Sequence, residues 1–325
     1  DFSVRDDYPM PELKESWVIV EVAYSGICGS DMPRFFKTGS YKSPMVVGHE
    51  FSGIVSKTNE ESKIKVGTPV AILPIIPCGV CENCKTNQGP FHCANYQFLG
   101  SRNDGGFSEF VAVPEENLFE LDSADLLLSG AFIEPALVAL HTIRRSNFAG
   151  DGNALVFGAG PIGLLVASWL KYFGADVTIV DIREYSLKIA KEMGLDKCYL
   201  FDEVPTKNYK YIYEASGSNP AFNKALELID NRGVFTIVGR DSKDTVIKQH
   251  LLERAMRREV TINGCWGYNI ESDSDILSDG FSKIPFDRMI SHIVSLDESV
   301  EMLEKMNDKS EDYCKVIIDM KKDQK

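Results

Sequence analysis

The chain has 325 residues, of which 44% are hydrophobic and 26% are charged. This length exceeds what one hydrophobic core usually organises, so we expect two domains. The formal net charge of −13 argues against nucleic acid, and against an anionic membrane surface, as the main partner.

The first third of the chain has the pattern of β-structure. Residues Val18, Val20 and Val22 alternate with other side chains and would share one face of a half-buried strand. Residues 66–73 and 105–114 show similar short apolar runs, bounded by glycine and proline.

The rest of the chain changes character twice. From Asp125 the sequence is apolar and helical, with Pro135 as its one interruption. Residues 153–266 then alternate between strand and helix patterns, which predicts a parallel sheet with helices on both faces. Gly194 is expected to end one of these helices, and residues 314–319 form a last strand that could return to the first domain.

A glycine motif, G-x-G-x-x-G, lies directly between a predicted strand and a predicted helix. Its first glycine permits a tight turn, the second lets the backbone approach a pyrophosphate, and the third lets the helix pack on the strand. The helix N-terminus would receive the negative charge. This pattern explains the long uncharged run 153–170 better than a membrane span does. The dinucleotide-binding residues predicted here are Gly158, Gly160, Pro161, Ile162 and Gly163.

Asp181 ends the next predicted strand, 23 residues after Gly158, where an acid can bind the adenosine ribose hydroxyls. Its charge would repel a 2′-phosphate, which favours NAD over NADP, although Arg183 could soften that preference. Ser216 and Val238 end two later predicted strands and complete the predicted cofactor site. The alternative is a glycine-rich turn that binds no ligand.

Four of the eight cysteines, Cys78, Cys81, Cys84 and Cys93, lie within sixteen residues. Four thiolates at this spacing can surround one zinc ion, and a closed set leaves no position for a substrate. We therefore expect a structural zinc in a reducing compartment, the cytoplasm, rather than disulfides or a redox pair. His92 is an alternative to Cys93 as the fourth ligand.

Further possible ligands are far apart: Cys28 in GICGSD, His49 in GHEFSG and Glu134 in FIEP. These motifs, the four-cysteine segment and GAGPIG follow the order and approximate spacing found in one protein family. The chain resembles, over essentially its whole length, the zinc-dependent medium-chain dehydrogenases/reductases of the alcohol and polyol dehydrogenase kind.

The resemblance implies an α/β fold, in which a GroES-like β-barrel catalytic domain accompanies a Rossmann domain with a doubly wound parallel sheet. The implied catalytic domain spans 1–136, with its structural zinc lobe at 78–93, and returns at 267–325. Residues 137–266 would bind NAD, and the active site would lie in the cleft between the domains. Family members also suggest a homo-dimer or homo-tetramer.

Carried over by motif, Cys28, His49 and Glu134 would hold the catalytic zinc. A glutamate as third ligand marks the polyol branch of the family. Glu50 would lie against the metal as a neighbouring carboxylate or an exchangeable ligand.

Asp31 would accept the second ring N–H of His49. Ser30 would hydrogen-bond the substrate hydroxyl and start the exit of its proton. Many relatives complete this relay with a histidine where this chain has Pro33, so water or a carboxylate would have to take over.

The implied reaction is metal-assisted hydride transfer from a sugar alcohol, which we expect to be phosphorylated. Such a substrate needs a cationic group on an otherwise acidic protein. The candidate substrate residues are Arg102 first, then Arg34, Lys37 and Lys42, with Trp266 and Tyr268 lining the cleft.

Several alternatives stay open at this point. The substrate could be an unphosphorylated polyol, a pentitol phosphate or L-threonine, all of which keep the zinc and NAD residues. A catalytically silent NAD-binding protein on the same fold is a more distant alternative.

Overall fold

The computed structural model describes residues 2–86, 89–240 and 243–322. Their strands, in chain order, are β1 (Trp17–Ile27), β2 (Glu50–Lys57), β3 (Pro69–Ile72), β4 (Ile75–Ile76), β5 (Gln97–Phe98), β6 (Phe110–Pro114), β7 (Leu118–Glu120), β8 (Asn153–Phe157), β9 (Asp176–Asp181), β10 (Lys197–Leu200), β11 (Tyr209–Glu214), β12 (Ile229–Ile237), β13 (Thr261–Gly264), β14 (Ile290–Val294) and β15 (Lys315–Asp319).

The α-helices are α1 (Glu82–Lys85), α2 (Leu127–Gly130), α3 (Ile133–Arg145), α4 (Pro161–Tyr172), α5 (Glu184–Glu192), α6 (Asn219–Leu228), α7 (Gln249–Arg257), α8 (Ile270–Gly280) and α9 (Ser299–Asp308). Short 3-10 turns and one π-helical turn, Arg34–Thr38, connect some of these elements.

The first compact unit runs to Glu134 and resumes at Ile290. Its main sheet has the strand order β14-β15-β1-β2-β3-β7, and β6 also pairs with β1. Strand β1 is therefore bonded to β2, β6 and β15, all antiparallel to it. Strands β4 and β5 form a small separate sheet.

The alternation predicted for the first strand is only partly realised. Val18, Val20 and Val22 are buried in one core cluster, as expected. Ile19 is buried as well, so this part of β1 is covered on both faces. A strand at the centre of a sheet can lose its polar face in this way, which the sequence pattern does not reveal.

The predicted last strand does return to the first unit, since β15 pairs with β1 from Tyr24↔Asp319 to Ile27↔Val316. The return begins at Ile290, however, and not at 267 as expected. The intervening helix α8 packs within the second unit: a Cβ on Gly280 would lie 2.3 Å from the Trp169 ring, and Tyr172 donates a hydrogen bond to Asp279.

The second unit, Pro135–Met289, is built on a six-stranded parallel sheet with the order β10-β9-β8-β11-β12-β13. Successive strands are added toward one edge from β8 to β10 and toward the other edge from β11 to β13, which is the arrangement of a doubly wound sheet. Gly194, with φ 83°, follows the C-terminal end of α5, as predicted. The predicted α/β fold with a parallel sheet is therefore confirmed.

The apolar segment after Asp125 is interrupted before Pro135, not at it. Helix α2 ends at Gly130, and Pro135 lies in the first turn of α3, where a missing N–H costs little. Among the described residues no single helix is long and apolar enough to cross a membrane; only Ala124–Gly130 with Ile133–Arg145, bent by 56°, passes as a pair on length and composition.

Ile318→Ala tests how strongly β15 holds the first unit together. Ile318 is fully buried in the core, so the substitution should lower the free energy of unfolding by about 2–5 kcal/mol. Ile293→Ala on the neighbouring β14 is the matched control, because Ile293 is 43% exposed. Urea unfolding of both variants measures the difference; equal losses would contradict this account of the core.

Candidate zinc and dinucleotide sites

Strand pairing brings the first pair of predicted zinc ligands together. Gly26 of β1 lies opposite Glu50 of β2. Cys28 follows the end of β1 and His49 precedes the start of β2, so the two residues meet at the same end of this antiparallel strand pair. Side-chain ligand atoms of Cys28, His49 and Glu50 all lie within 4.8 Å of one another. A thiolate, an imidazole and a carboxylate are the donor types that zinc takes in proteins, so this set can hold the ion.

Glu50 is held in place by a residue that the sequence analysis missed. Its carboxylate accepts a hydrogen bond from the Lys315 ammonium, and both residues are 2% exposed. Lys315 also donates to the Ile27 carbonyl at 3.4 Å. Gly26 leaves room for the pair, because a Cβ there would lie 2.6 Å from Glu50 Oε2.

Glu134, the predicted third ligand, is buried but lies outside the 4.8 Å set among the described residues. Burial raises the pKa of Glu134 to about 7. The His49 imidazolium lowers this pKa and the Glu50 carboxylate raises it, so Glu134 feels the charges of the same pocket. Of the two carboxylates, Glu50 therefore lies closer to the Cys28 and His49 ligand atoms than Glu134 does.

Asp31 is placed as the resemblance implies. Its Oδ1 lies 3.2 Å from His49 Nδ1, which leaves Nε2 as the ring nitrogen for a metal. Its Oδ2 accepts the backbone N–H of Cys28 at 3.2 Å. Burial alone would raise the pKa of Asp31, but His49 and Arg34 outweigh it and the pKa is lowered.

Two nearby residues bear on proton exit. Ser30 is exposed, and its hydroxyl lies 3.3 Å from Cys28 Sγ. Pro33, where the resemblance would place a relay histidine, is exposed and has no side-chain proton to pass. The route of the proton beyond Ser30 stays a prediction.

The four cysteines of the zinc lobe converge, with all four sulfurs within 4.8 Å of one another. Cys81 Sγ lies 3.5 Å from Cys84 Sγ and 3.9 Å from Cys93 Sγ. Tetrahedral zinc with Zn–S bonds of about 2.3 Å separates its sulfurs by about 3.8 Å. Hydrogen bonds from the backbone N–H groups of Ala94 and Cys84 lower the pKa of Cys81 to about 6, which favours a thiolate. His92 is exposed and outside this set.

The glycine motif joins β8 to α4 and fits a pyrophosphate. Gly158 has φ 96°, and a Cβ on Gly163 would lie 1.8 Å from the Gly158 carbonyl oxygen. A Cβ on Gly160 would meet nothing within 4 Å, so space is open there for a ligand. Pro161 and Ile162 begin α4, whose N-terminus points its free N–H groups toward this space.

Asp181 ends β9 beside this turn. Its Oδ2 accepts the Ala159 N–H at 2.7 Å, and its Oδ1 accepts the Arg183 N–H at 2.9 Å. The Arg183 guanidinium lies 3.9 Å from the same carboxylate. Each oxygen keeps a lone pair for a ribose hydroxyl.

Ser216 and Val238 are organised by Glu214, a buried carboxylate that the sequence analysis did not single out. Glu214 Oε1 accepts the Ser216 N–H at 2.8 Å, and its Oε2 accepts the Gly217 N–H at 3.1 Å. Its carbonyl accepts the Val238 N–H at 2.9 Å. Glu214, at the end of β11, therefore holds the loop after β11 and the loop after β12 through hydrogen bonds.

Arg102 lies over two tyrosine rings, with its guanidinium carbon 4.8 Å from the Tyr41 centroid and 4.2 Å from the Tyr96 centroid. Within residues 2–86, 89–240 and 243–322 no carboxylate forms an ion pair with it. Its loop packs on the segment before His49, since the Gly105 N–H donates to the Val46 carbonyl at 3.0 Å.

The other candidate substrate residues differ from this. Arg34, which we had placed among the candidate substrate cations, is ion-paired with Asp31 at 2.8 Å. Lys37 and Lys42 are exposed. In the second unit, Tyr268 is buried, whereas Trp266 is half exposed beneath the Arg240 guanidinium.

Comparison with known proteins agrees with this geometry. The family model "Alcohol dehydrogenase GroES-like domain" matches residues 14–123, and "Zinc-binding dehydrogenase" matches residues 161–279. Galactitol 1-phosphate 5-dehydrogenase of Escherichia coli K12 is 32% identical, over 87% of this chain and 87% of that protein. The chain belongs to the zinc-binding alcohol dehydrogenase family. A probable D-xylulose reductase A of Neosartorya fischeri is also 32% identical, over 81% of this chain and 78% of that protein.

Solved structures of other zinc-binding dehydrogenases share the fold. Galactitol-1-phosphate dehydrogenase from E. coli superposes with a TM-score of 0.89 and 29% identity, covering 96% of this chain and 95% of that one. A zinc-binding dehydrogenase from Sinorhizobium meliloti 1021, bound to NADP, gives 0.87 and 26%, covering 98% and 96%. The predicted family, zinc dependence and nicotinamide cofactor are confirmed at this level.

Cys81→Ser tests the zinc lobe of this dehydrogenase. Because the lobe is separate from Cys28 and His49 in the sequence and in its donor set, the variant should lose one zinc per chain and keep one. Zinc content of the purified protein, by atomic emission, measures this. Cys198→Ser is the control, since that thiol donates to the Leu195 carbonyl outside both clusters; unchanged zinc in Cys81→Ser would contradict the assignment.

Lys315→Met tests the buried ion pair. It leaves Glu50 charged and unpaired in the interior, so we expect a loss of about 3–5 kcal/mol in the free energy of unfolding. Adding Glu50→Gln should recover part of this loss, because the amide carries no charge to compensate. Urea unfolding of the single and double variants measures both; a double variant less stable than Lys315→Met would contradict the pairing.

Proposed function

We propose that this dehydrogenase transfers a hydride between a sugar alcohol and NAD, with galactitol 1-phosphate as the alcohol and tagatose 6-phosphate as the product. The observation that carries the metal-dependent part is the convergence of Cys28, His49 and Glu50. When bound, zinc supplies Lewis-acid polarisation of the substrate oxygen, and NAD supplies the hydride acceptor.

Cys28 and His49 would bind the catalytic zinc, with Glu134 or Glu50 as the carboxylate ligand. Glu50 is already bonded to Lys315, which supports Glu134 as the lasting ligand and Glu50 as an exchangeable one. Asp31 would keep His49 in one tautomer. The Ser30 hydroxyl, exposed beside Cys28, would accept the alcohol proton and pass it to water.

The proposal that the substrate carries a phosphate depends on Arg102. The guanidinium lies over two aromatic rings, which restrain it, while its N–H groups can still form paired hydrogen bonds to phosphate. The net charge of −13 makes such a local cation necessary for an anionic substrate. The E. coli relative named for a phosphorylated substrate supports the same choice.

An unphosphorylated polyol is the second candidate. The fungal relative named as a D-xylulose reductase is as similar in identity as the E. coli one. This candidate keeps every zinc and cofactor residue and gives Arg102 a purely structural role. A pentitol phosphate and L-threonine also stay open as substrates.

For the cofactor, the Asp181 carboxylate at the end of β9 supports NAD over NADP, because it would repel a 2′-phosphate. Ser216 and Val238 would contact the nicotinamide half. We also propose a cytoplasmic homo-dimer or homo-tetramer: β13 is an edge strand of its sheet, and pairing of two such edges would bury its open backbone groups.

Arg102→Ala, assayed on galactitol 1-phosphate and on free galactitol, tests the substrate. Losing a charge-assisted contact of about 1.5–3 kcal/mol should raise the KM for the phosphate ester about 10–100-fold and leave the free polyol nearly unchanged. NADH formation measures both.

Lys14→Ala is the matched control, since Lys14 also lies over an aromatic ring, Trp17, at 4.7 Å. His49→Ala should abolish turnover of both substrates. Equal effects of Arg102→Ala on the two substrates would remove the phosphate contact, and the free polyol would become the better proposal.

A further inference from the structure

Arg34 has no place in the metal or cofactor sites described above, yet its side chain is only 19% exposed. Its Nη1 donates to Asp31 Oδ1 at 2.8 Å. The same oxygen lies 3.2 Å from His49 Nδ1. One completely buried carboxylate oxygen therefore accepts a hydrogen bond from the guanidinium and lies within ion-pair distance of the imidazole.

The backbone around Arg34 is also fixed to Asp31. The Asp31 carbonyl accepts the N–H groups of Arg34 at 2.9 Å and of Phe35 at 3.2 Å. The π-helical turn that follows packs against the N-terminal segment, with the Phe2 and Phe35 ring centroids 4.8 Å apart. Arg34 is thus presented to Asp31 from a hydrogen-bonded and packed turn.

This arrangement determines the orientation of Asp31. A carboxylate can rotate about its last bond, and the Cys28 N–H on Oδ2 is one restraint. The short bond from Arg34 to Oδ1 is the second, and the two together hold Oδ1 at 3.2 Å from His49 Nδ1. They also compensate a charge that burial makes costly.

We propose that Arg34 is a positioning residue for the catalytic metal site: it holds Asp31 so that His49 presents its other ring nitrogen to the zinc. Arg34 acts through Asp31 and does not contact the substrate. This inference rests on the zinc site and not on the identity of the sugar alcohol.

The test is the release of zinc from the holoenzyme in rising concentrations of the chelator 4-(2-pyridylazo)resorcinol, with turnover followed in parallel. Arg34→Met should lower the affinity of the zinc whose loss stops turnover by about 10-fold, the lower end of the 10–100-fold effect of removing a direct partner of a ligating histidine, because Arg34 acts through Asp31. Arg34→Lys, which keeps one donor, should fall between Met and the wild type. The zinc of the cysteine lobe should be released as in the wild type, so a general loosening of the fold would be visible as a shift of both steps.

Arg5→Met is the control, because Arg5 pairs with Asp7 on the surface at 2.8 Å. In an Asp31→Asn background, Arg34→Met should have no further effect on zinc release. Unchanged zinc affinity in Arg34→Met would overturn the proposal, whatever happens to the KM. An additive loss in the double variant would overturn it too, since Arg34 would then act independently of Asp31.

Discussion

The buried ion pair between Lys315 and Glu50 is the interaction on which the first unit depends most. It joins the first residue of the last strand, β15, to the first residue of β2, which directly follows His49. Two charges at 2% exposure are stable only when paired. The pair can form only when the C-terminal strand β15 has docked on the first unit. The metal-binding end of β1 and β2 is therefore completed by a residue that follows the whole second unit in the chain.

The same pocket carries more charge than this pair balances. Asp31 and Glu134 are also buried, and they are compensated differently. Asp31 has Arg34 and His49, and its pKa is lowered. Burial raises the pKa of Glu134 to about 7, although the charges of His49 and Lys315 act to lower it.

The second unit solves a different problem, the close approach of backbone to a cofactor. Parallel strands β8 and β11 are neighbours at the centre of the sheet, where the strand order changes direction. The turns that follow these two strands therefore lie side by side. A Cβ on Gly158 would lie 2.9 Å from the Ser216 nitrogen. The Glu214 carboxylate accepts a hydrogen bond from the Ser216 N–H and so restrains this loop. The cofactor turn and the neighbouring loop are therefore fixed to each other before any ligand binds.

Local spacing in the sequence determined the strand–glycine–helix turn and the four-cysteine lobe, because both depend on residues close together in the chain. The parallel sheet followed from the alternation of strand and helix patterns along the chain. The resemblance of widely spaced motifs added Cys28, His49 and Glu134. Tertiary structure alone decided that Lys315 lies at Glu50 and that α8 belongs to the second unit. It also decided that Arg34 binds Asp31 rather than remaining uncommitted. These are contacts of buried charges and packed surfaces, and their partners depend on strand register and burial, which a single sequence does not state.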